Sequence, residues 1–344
     1  MRIAILSPVW FPVPPTGYGG IEWIVALLAD GLVEAGHDVT LFASGDSRTT
    51  AKLSCVYEVA PSAAIGLSQV EVRHALACYA RSGEFDVVCD HSGPPAAVIG
   101  GAVKTPVVHT VHGPLDGEPG ELYELVAKVA PSTALVSLTL NQRRLHPDLP
   151  WVANVPNALD FSVYPFARRR GDYLLFLGRM DPTKGAHRAI AVAMETEMPL
   201  KLAGKVRDPH EHEYFRQFVE PHLKPGRIEY LGEVSHGEKI ELLQNARATL
   251  FPIEWEEPFG LVMIESMACG TPVIATRHGS VPEVIEHGRS GIIVDDYRII
   301  TAALEEADRL DPHELRRYAE ERFSPERMVA GYLGAFRAAI ERAA

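Results

Sequence analysis

Short, continuous apolar runs alternate along this chain with stretches of helical spacing. Runs at residues 3–6, 38–42, 86–90, 106–111, 134–138 and 151–155 read as buried strands in the first half. The second half repeats the pattern at residues 173–177, 200–203, 227–231 and 248–252. Between the first two runs, Ile24, Leu27, Leu28 and Leu32 recur at helical spacing and predict a helix over 21–35, with Gly36 as its stop. Near the end, Ser324-Pro325-Glu326 caps a helix over 327–342. Its Val329, Tyr332, Leu333, Phe336 and Ile340 share one face. The opening strand, glycine-rich loop, helix and second strand make a Rossmann-like unit, and the alternation that follows predicts an α/β fold throughout.

The chain has 344 residues, more than one core usually serves, so two domains are expected. The boundary is placed at 158/159, followed by a proline- and arginine-bearing linker to Gly171. The net charge of −12 argues against a nucleic-acid protein and against a basic membrane-docking surface. Arg168-Arg169-Arg170 is a compact basic run and reads as a solvated or hinge segment. Cys55, Cys78, Cys89 and Cys269 show no close pairing and are expected as buried free thiols in a reducing cytoplasm. The apolar N-terminal run is too short for a signal peptide, and no stretch is long enough to span a bilayer. A cytoplasmic location is the expectation; oligomeric state is not legible.

The richest chemistry lies in FPIEWEEPFGLVMIESMACGTPVIATRHG, residues 251–279. A strand runs into an acidic loop, Pro258-Phe259-Gly260 opens a helix, and Cys269-Gly270-Thr271-Pro272 closes it. Glu257 stands at the helix mouth, where unpaired N–H groups and the dipole favour anions, and Glu265 lies about two turns further on. A ligand with hydroxyls and a phosphate would meet carboxylates and amides together here. The plain alternative is a helix-start acid and a surface residue. Arg179 and Lys184 flank another strand-to-helix loop and suit a diphosphate, or are two surface cations in a turn. Lys205 follows the next strand and is a weaker phosphate candidate.

In the first half, Gly17-Tyr18-Gly19-Gly20 invites a dinucleotide reading, but Glu22 stands where the fingerprint needs its third glycine. Gly19 and Gly20 still let backbone amides approach a phosphate, or simply make a tight turn. His91 and His112 each follow a strand, where open α/β sheets present ligand groups; His109 lies within its strand and reads as a packed histidine. No Asp-x-Asp pair or His/Cys cluster is evident in the sequence, so no metal is expected, and Arg179, Lys184 and helix N-termini would neutralise the anion.

The 251–279 stretch, continuing into Val281-Pro282-Glu283-Val284-Ile285, resembles the donor-binding signature of glycosyltransferase family 4, whose members are retaining and have the two-domain GT-B fold. The longer run PPTGYGGIEWIVALLADGLVEAGHDV resembles a compact bacterial branch that includes the avilamycin-biosynthesis glycosyltransferase. The resemblance implies two Rossmann-like domains facing across a cleft: an acceptor-side domain at 1–158 with helix 325–344 packing back on it, and a donor domain at 159–324. It implies that Glu265 binds ribose hydroxyls, and that Glu257 with the amides of Phe259, Gly260 and Leu261 holds sugar and diphosphate. Gly19, Gly20, Arg179 and Lys184 would meet the diphosphate, Gly232, Glu233 and Val234 the base, and His112 the transferred sugar. Tyr18, His91 and His112 would line the acceptor. Val155-Pro156-Asn157-Ala158 resembles the interdomain junction, with Ala158 where glycine is usual. The implied activity moves a hexose from a nucleotide-diphosphate sugar, UDP-glucose ahead of GDP-mannose, to a small soluble hydroxylated acceptor. No other cofactor is implied. A sugar-nucleotide epimerase, a phosphorylase and a non-catalytic sugar-nucleotide-binding protein remain alternatives.

Overall fold

The structure, a computed structural model, describes residues 1–17, 19–168 and 171–343. In chain order the strands are β1 (Arg2–Leu6), β2 (Asp38–Phe42), β3 (Lys52–Ser54), β4 (Val87–Asp90), β5 (Val107–Val111), β6 (Thr133–Ser137), β7 (Trp151–Asn154), β8 (Tyr173–Leu177), β9 (Leu200–Ala203), β10 (Ile228–Tyr230), β11 (Ala246–Phe251), β12 (Val273–Thr276) and β13 (Ile292–Val294). The α-helices are α1 (Gly20–Glu34), α2 (Ser68–Tyr79), α3 (Pro94–Gly100), α4 (Glu118–Val129), α5 (Leu140–Leu145), α6 (Ala186–Thr196), α7 (Pro209–Phe218), α8 (His236–Gln244), α9 (Leu261–Ala268), α10 (Val281–Val284), α11 (Ile300–Asp308), α12 (Pro312–Arg322) and α13 (Pro325–Ala343). They form two compact units, Met1–Leu159 with Pro325–Ala344, and Asp160–Ser324.

The first unit is built on a parallel seven-stranded sheet in the order β3-β2-β1-β4-β5-β6-β7. Its central strands are buried on both faces, so their sequences are apolar runs rather than alternating ones. β3 is the exception. Lys52 and Leu53 are exposed on this edge strand, so it carries no apolar run and escaped the sequence reading. Helix α1 buries Ile24, Val25, Leu28 and Leu32. Helix α13 packs against α1, β4, β5 and β7, with Tyr332 and Phe336 fully enclosed. Three cysteines are buried, but Cys55 is exposed, because it follows the edge strand rather than a core segment.

The second unit is a parallel six-stranded sheet, β10-β9-β8-β11-β12-β13. Its core joins Leu174, Phe176, Leu202 and Leu250 from the strands to Ile190 of α6 and Leu304 of α11. In each sheet the chain first builds outward on one side and then returns to build on the other. The strand order reverses between β1 and β4 in one sheet and between β8 and β11 in the other. Carboxyl ends at such a reversal border a crevice, because the two following loops leave in opposite directions. No helix among the described residues is long and apolar enough to cross a membrane.

Candidate active site

In the second unit the loops after β8 and β11 leave at the reversal and lock to each other. The Asp181 carboxylate accepts from the Thr183 amide at 2.9 Å and shapes the first turn, which Gly185 ends as the N-cap of α6. This aims Lys184 at the second loop. Its Nζ lies 2.5 Å from Glu257 Oε2 and 4.1 Å from the centre of the Trp255 ring. Arg188, one turn into α6, donates to the Pro252 carbonyl at 3.0 Å and pairs with Glu254. Two cations of one element thus meet two carboxylates of the other. The sequence presented Lys184 and Glu257 as separate ligand contacts; the fold makes each the other's partner, and both are largely enclosed.

Arg179 turns to the other side of the same loop. Its guanidinium is 2.9 Å from Glu211, a fully buried carboxylate that also closes the capping box of α7. Glu211 is then a buried charge with a cation and backbone donors around it, which is the condition for tolerating one. Asp181, His210 and Glu211 bring donor atoms within 4.8 Å of one another, a grouping that could hold a metal ion. The sequence reading found no ligand cluster, because these residues are 29 positions apart and meet only through β8 and α7. The Arg179 guanidinium and the amide of Arg207 already engage the two Glu211 oxygens, which disfavours a cation there.

Glu265 projects from α9, whose N-cap Gly260 adopts φ +78°, a left-handed conformation open to glycine. The carboxylate is buried and accepts from the Tyr164 hydroxyl at 2.9 Å and the Lys239 ammonium at 2.5 Å. Burial and the adjoining Glu265 charge push the Tyr164 phenol far above its ordinary range, so it stays a donor. Neither Tyr164 nor Lys239 was singled out from the sequence. Tyr164 lies in the linker and Lys239 on a polar helix, and neither position carries a local signal. Phe259 is buried against Phe323, and its carbonyl accepts from Ser280 Oγ at 2.7 Å. Leu261 begins α9 itself. The Cys-Gly-Thr-Pro part of the signature does structural work: Thr271 Oγ1 donates to the Leu243 carbonyl at 2.6 Å, and Ser266 Oγ donates to the Thr271 carbonyl at 2.9 Å.

Further along the same sheet edge, the Gly232 carbonyl accepts from the Gly204 amide at 2.8 Å, and Glu233 and Val234 follow. Lys205 is half-buried; desolvation lowers its ammonium pKa, and the nearby Glu233 charge opposes that shift. Lys205 and the predicted base loop therefore share one neighbourhood, as strand ends β9 and β10 do.

In the first unit Gly19 is the N-cap of α1 and Gly20 its first residue, with Glu22 buried in the first turn. Tyr18 lies outside the described residues, as do Arg169 and Arg170 of the basic run. Asp90 ends β4, and its buried carboxylate accepts from His109 Nδ1 at 2.8 Å, Tyr79 at 3.1 Å and the Ser92 amide at 2.8 Å. The packed role expected for His109 fits these contacts, and its Nε2 lies 2.9 Å from the Tyr123 hydroxyl. His91 is fully buried, and its Nδ1 lies 2.9 Å from Nε2 of the half-buried His112. Gln142 of α5, also unmarked in the sequence, donates to the carbonyls of Val111 and Gly113 at 3.0 and 2.9 Å, clamping the backbone on both sides of His112. Burial and the nearby His109 lower the His112 pKa to about 3, so the ring is neutral at physiological pH.

These sites belong to a recognisable sequence pattern. Residues 18–192 match the family described as Glycosyltransferase Family 4, and residues 166–322 match Glycosyl transferases group 1. The chain belongs to glycosyltransferase family 4. Among curated relatives, a glycogen synthase of Mycobacterium tuberculosis is 26% identical over 85% of this chain and 82% of its own length. A phosphatidyl-myo-inositol mannosyltransferase of Mycolicibacterium smegmatis is 27% identical over 88% and 84%. Among solved structures, AviGT4, a glycosyltransferase involved in avilamycin A biosynthesis, covers 99% of both chains with a TM-score of 0.72 and 26% identity. Anabaena HepE in complex with UDP and glucose has a TM-score of 0.76 at 17% identity, covering 98% of this chain and 100% of its own. The fold is GT-B. This family 4 chain is accordingly a retaining glycosyltransferase that uses a nucleotide-sugar donor.

Proposed function

We propose that this family 4 enzyme transfers glucose from UDP-glucose to a small, soluble, hydroxylated acceptor. The observation that carries the donor site is the Lys184–Glu257 pair beside Trp255, with Glu265 held by Tyr164 and Lys239 on the following helix. A pair already formed can reorient onto a diphosphate without first gathering charge from solvent. In this reading Lys184 and Arg179 take the diphosphate, Glu265 the ribose hydroxyls, and Glu257 with the amides at Phe259, Gly260 and Leu261 the sugar and phosphate. Gly19 and Gly20 are assigned to the diphosphate as well, and Gly232, Glu233 and Val234 to the base, with Lys205 near that loop. His112 approaches the transferred sugar. The acceptor lies against the first-unit loops at 11–18, 92–95 and 112–118; the fully buried His91 is not among its contacts.

Retention needs no protein nucleophile here. The acceptor oxygen forms a bond to the anomeric carbon on the face from which the phosphate oxygen departs. The acceptor proton passes to that phosphate oxygen, giving a glycoside and a nucleoside diphosphate. Cationic donors stabilise the leaving charge, and removal of one such donor commonly costs roughly 10²–10³ in rate. No metal is assigned to this step, so activity is expected to persist in EDTA.

Relatives bear both glucose and mannose names: HepE was solved with UDP and glucose, whereas the M. smegmatis relative is a mannosyltransferase. GDP-mannose is therefore the second donor to test. Thermal shift against UDP, GDP, ADP and dTDP should single out UDP, because a bound ligand raises stability by mass action. Lys184→Ala should lower turnover by roughly 10²-fold or more, and Glu265→Ala should greatly weaken turnover through lost donor binding, each with the fold retained by circular dichroism. Full activity in both variants would overturn the donor-site assignment.

A further inference from the structure

The ends of β4 and β5 carry a buried file of hydrogen-bonding groups behind His112. Cys89 Sγ lies 3.2 Å from His91 Nε2, and His91 Nδ1 lies 2.9 Å from His112 Nε2. Cys89 and His91 are both fully enclosed, and the Tyr332 ring of α13 covers His91 at 5.4 Å between centres. Tyr332 spends its own hydroxyl on Thr110 at 3.0 Å, leaving the His91 nitrogens to Cys89 and His112. The His91 amide is fixed as well, donating to the Leu6 carbonyl across the sheet at 2.8 Å. A strand-end histidine had been expected to face an acceptor, but this one has no surface to offer.

Two neutral imidazoles sharing one N···N contact must place a single proton in it. A thiol at the far end decides which way the file runs. Burial and the Asp90 charge raise the Cys89 thiol pKa well above its ordinary value, so the sulfur keeps its hydrogen. Thiol sulfur is a weak acceptor, while an imidazole nitrogen is a good one. The S–H therefore points to His91 Nε2. His91 then carries its proton on Nδ1 and donates to His112 Nε2, and the His112 proton resides on Nδ1.

We propose that Cys89 and His91 are positioning residues that fix the ring and tautomer of His112, so that it presents an Nδ1–H donor to the transferred sugar. The role of His112 at the sugar rests on the function proposed above; the proton arrangement does not. At metal-bound imidazoles, losing the partner of the other ring nitrogen costs roughly 10–100-fold, and a loss of the same order is expected here.

The test begins with the unaltered enzyme. Nitrogen-15 spectra of labelled histidine, with His112 identified by its loss in His112→Gln, should show a protonated Nδ1 and a bare Nε2. A protonated Nε2 on His112 would overturn the proposal, with or without any activity. His91→Phe should lower kcat about 10–100-fold with donor KM changed less than about threefold, and should mix the His112 tautomers. His91→Asn returns an amide donor near the Nδ1 position and should recover most of kcat. Unchanged kcat in His91→Phe, or equal losses in His91→Phe and His91→Asn, would reject the positioning role. Full activity in His112→Gln would instead reject the sugar contact, while the ring spectra still decide the proton arrangement.

Discussion

At Gly279 a single hydrogen atom keeps two loops in contact. The residue adopts φ +54°, and a Cβ there would come 2.2 Å from the Glu257 amide nitrogen and 2.6 Å from its carbonyl oxygen. The next residue, Ser280, donates its amide to that carbonyl at 2.9 Å and its hydroxyl to Phe259. The loop carrying Glu257 therefore rests on this turn. Gly279→Ala should destabilise the chain by about 1–3 kcal/mol through strain and displaced backbone, and should raise donor KM severalfold. Urea unfolding and steady-state kinetics check it; a wild-type KM would mean that the turn does not set the loop. The sequence showed Glu257 and Lys184 as candidate ligands because their residue types and strand-end positions are local. That they pair with one another across 73 residues is not local, and no spacing announces it.

Among the elements, α12 does more than cover the core. Arg316 donates to the carbonyls of Phe161, Tyr164 and Ala268 at 2.7, 2.6 and 2.8 Å. One guanidinium thus ties the linker turn bearing Tyr164 to the carboxyl end of α9, where orphan carbonyls need donors. Since Tyr164 hydrogen-bonds Glu265, the cation also supports the proposed ribose contact. Arg316→Met keeps the aliphatic stem and removes the donors. It should cost about 2–4 kcal/mol, given several charge-assisted bonds at about 1.5–3 kcal/mol each that water partly replaces. Donor KM should rise with it; an unchanged melting temperature would show that the carbonyls are served otherwise. Helix α12 is mostly charged, so its sequence signals a solvated helix and hides this one anchoring side chain. Strands β8 and β9, by contrast, were legible to the residue, because continuous apolar runs between turn residues have few other uses.

At the scale of the whole molecule, the first unit stores neutral histidines in helix α2 and just past strands β4 and β5. Burial lowers His74 to about 4, His112 to about 3, and His91 well below its ordinary value near 6.5. Between these values and 6.5 the unfolded chain binds protons that the folded chain refuses. The stabilisation is therefore complete above pH 6.5 and is lost as pH falls towards the folded values. Each group contributes a slope of up to about 1.4 kcal/mol per pH unit in that window. Urea midpoints should fall from pH 7.5 to pH 5, and the slope should lessen in His74→Leu. A flat profile would show that these rings accept protons in the folded state.

Sequence alone determined the two-sheet α/β plan, the strand ends at which chemistry collects, and the family to which the chain belongs. The first two follow from periodicity, glycine placement and residue type, each readable within a few positions; the family follows from the resemblance of residues 251–279 to a known signature. Tertiary structure decided the partnerships: Lys184 with Glu257, Arg179 with Glu211, Tyr164 and Lys239 with Glu265, and Cys89 with His91 and His112. Buried charges and imidazoles need partners to offset desolvation, and the partner is whichever group the packing brings within about 3 Å, however distant along the chain.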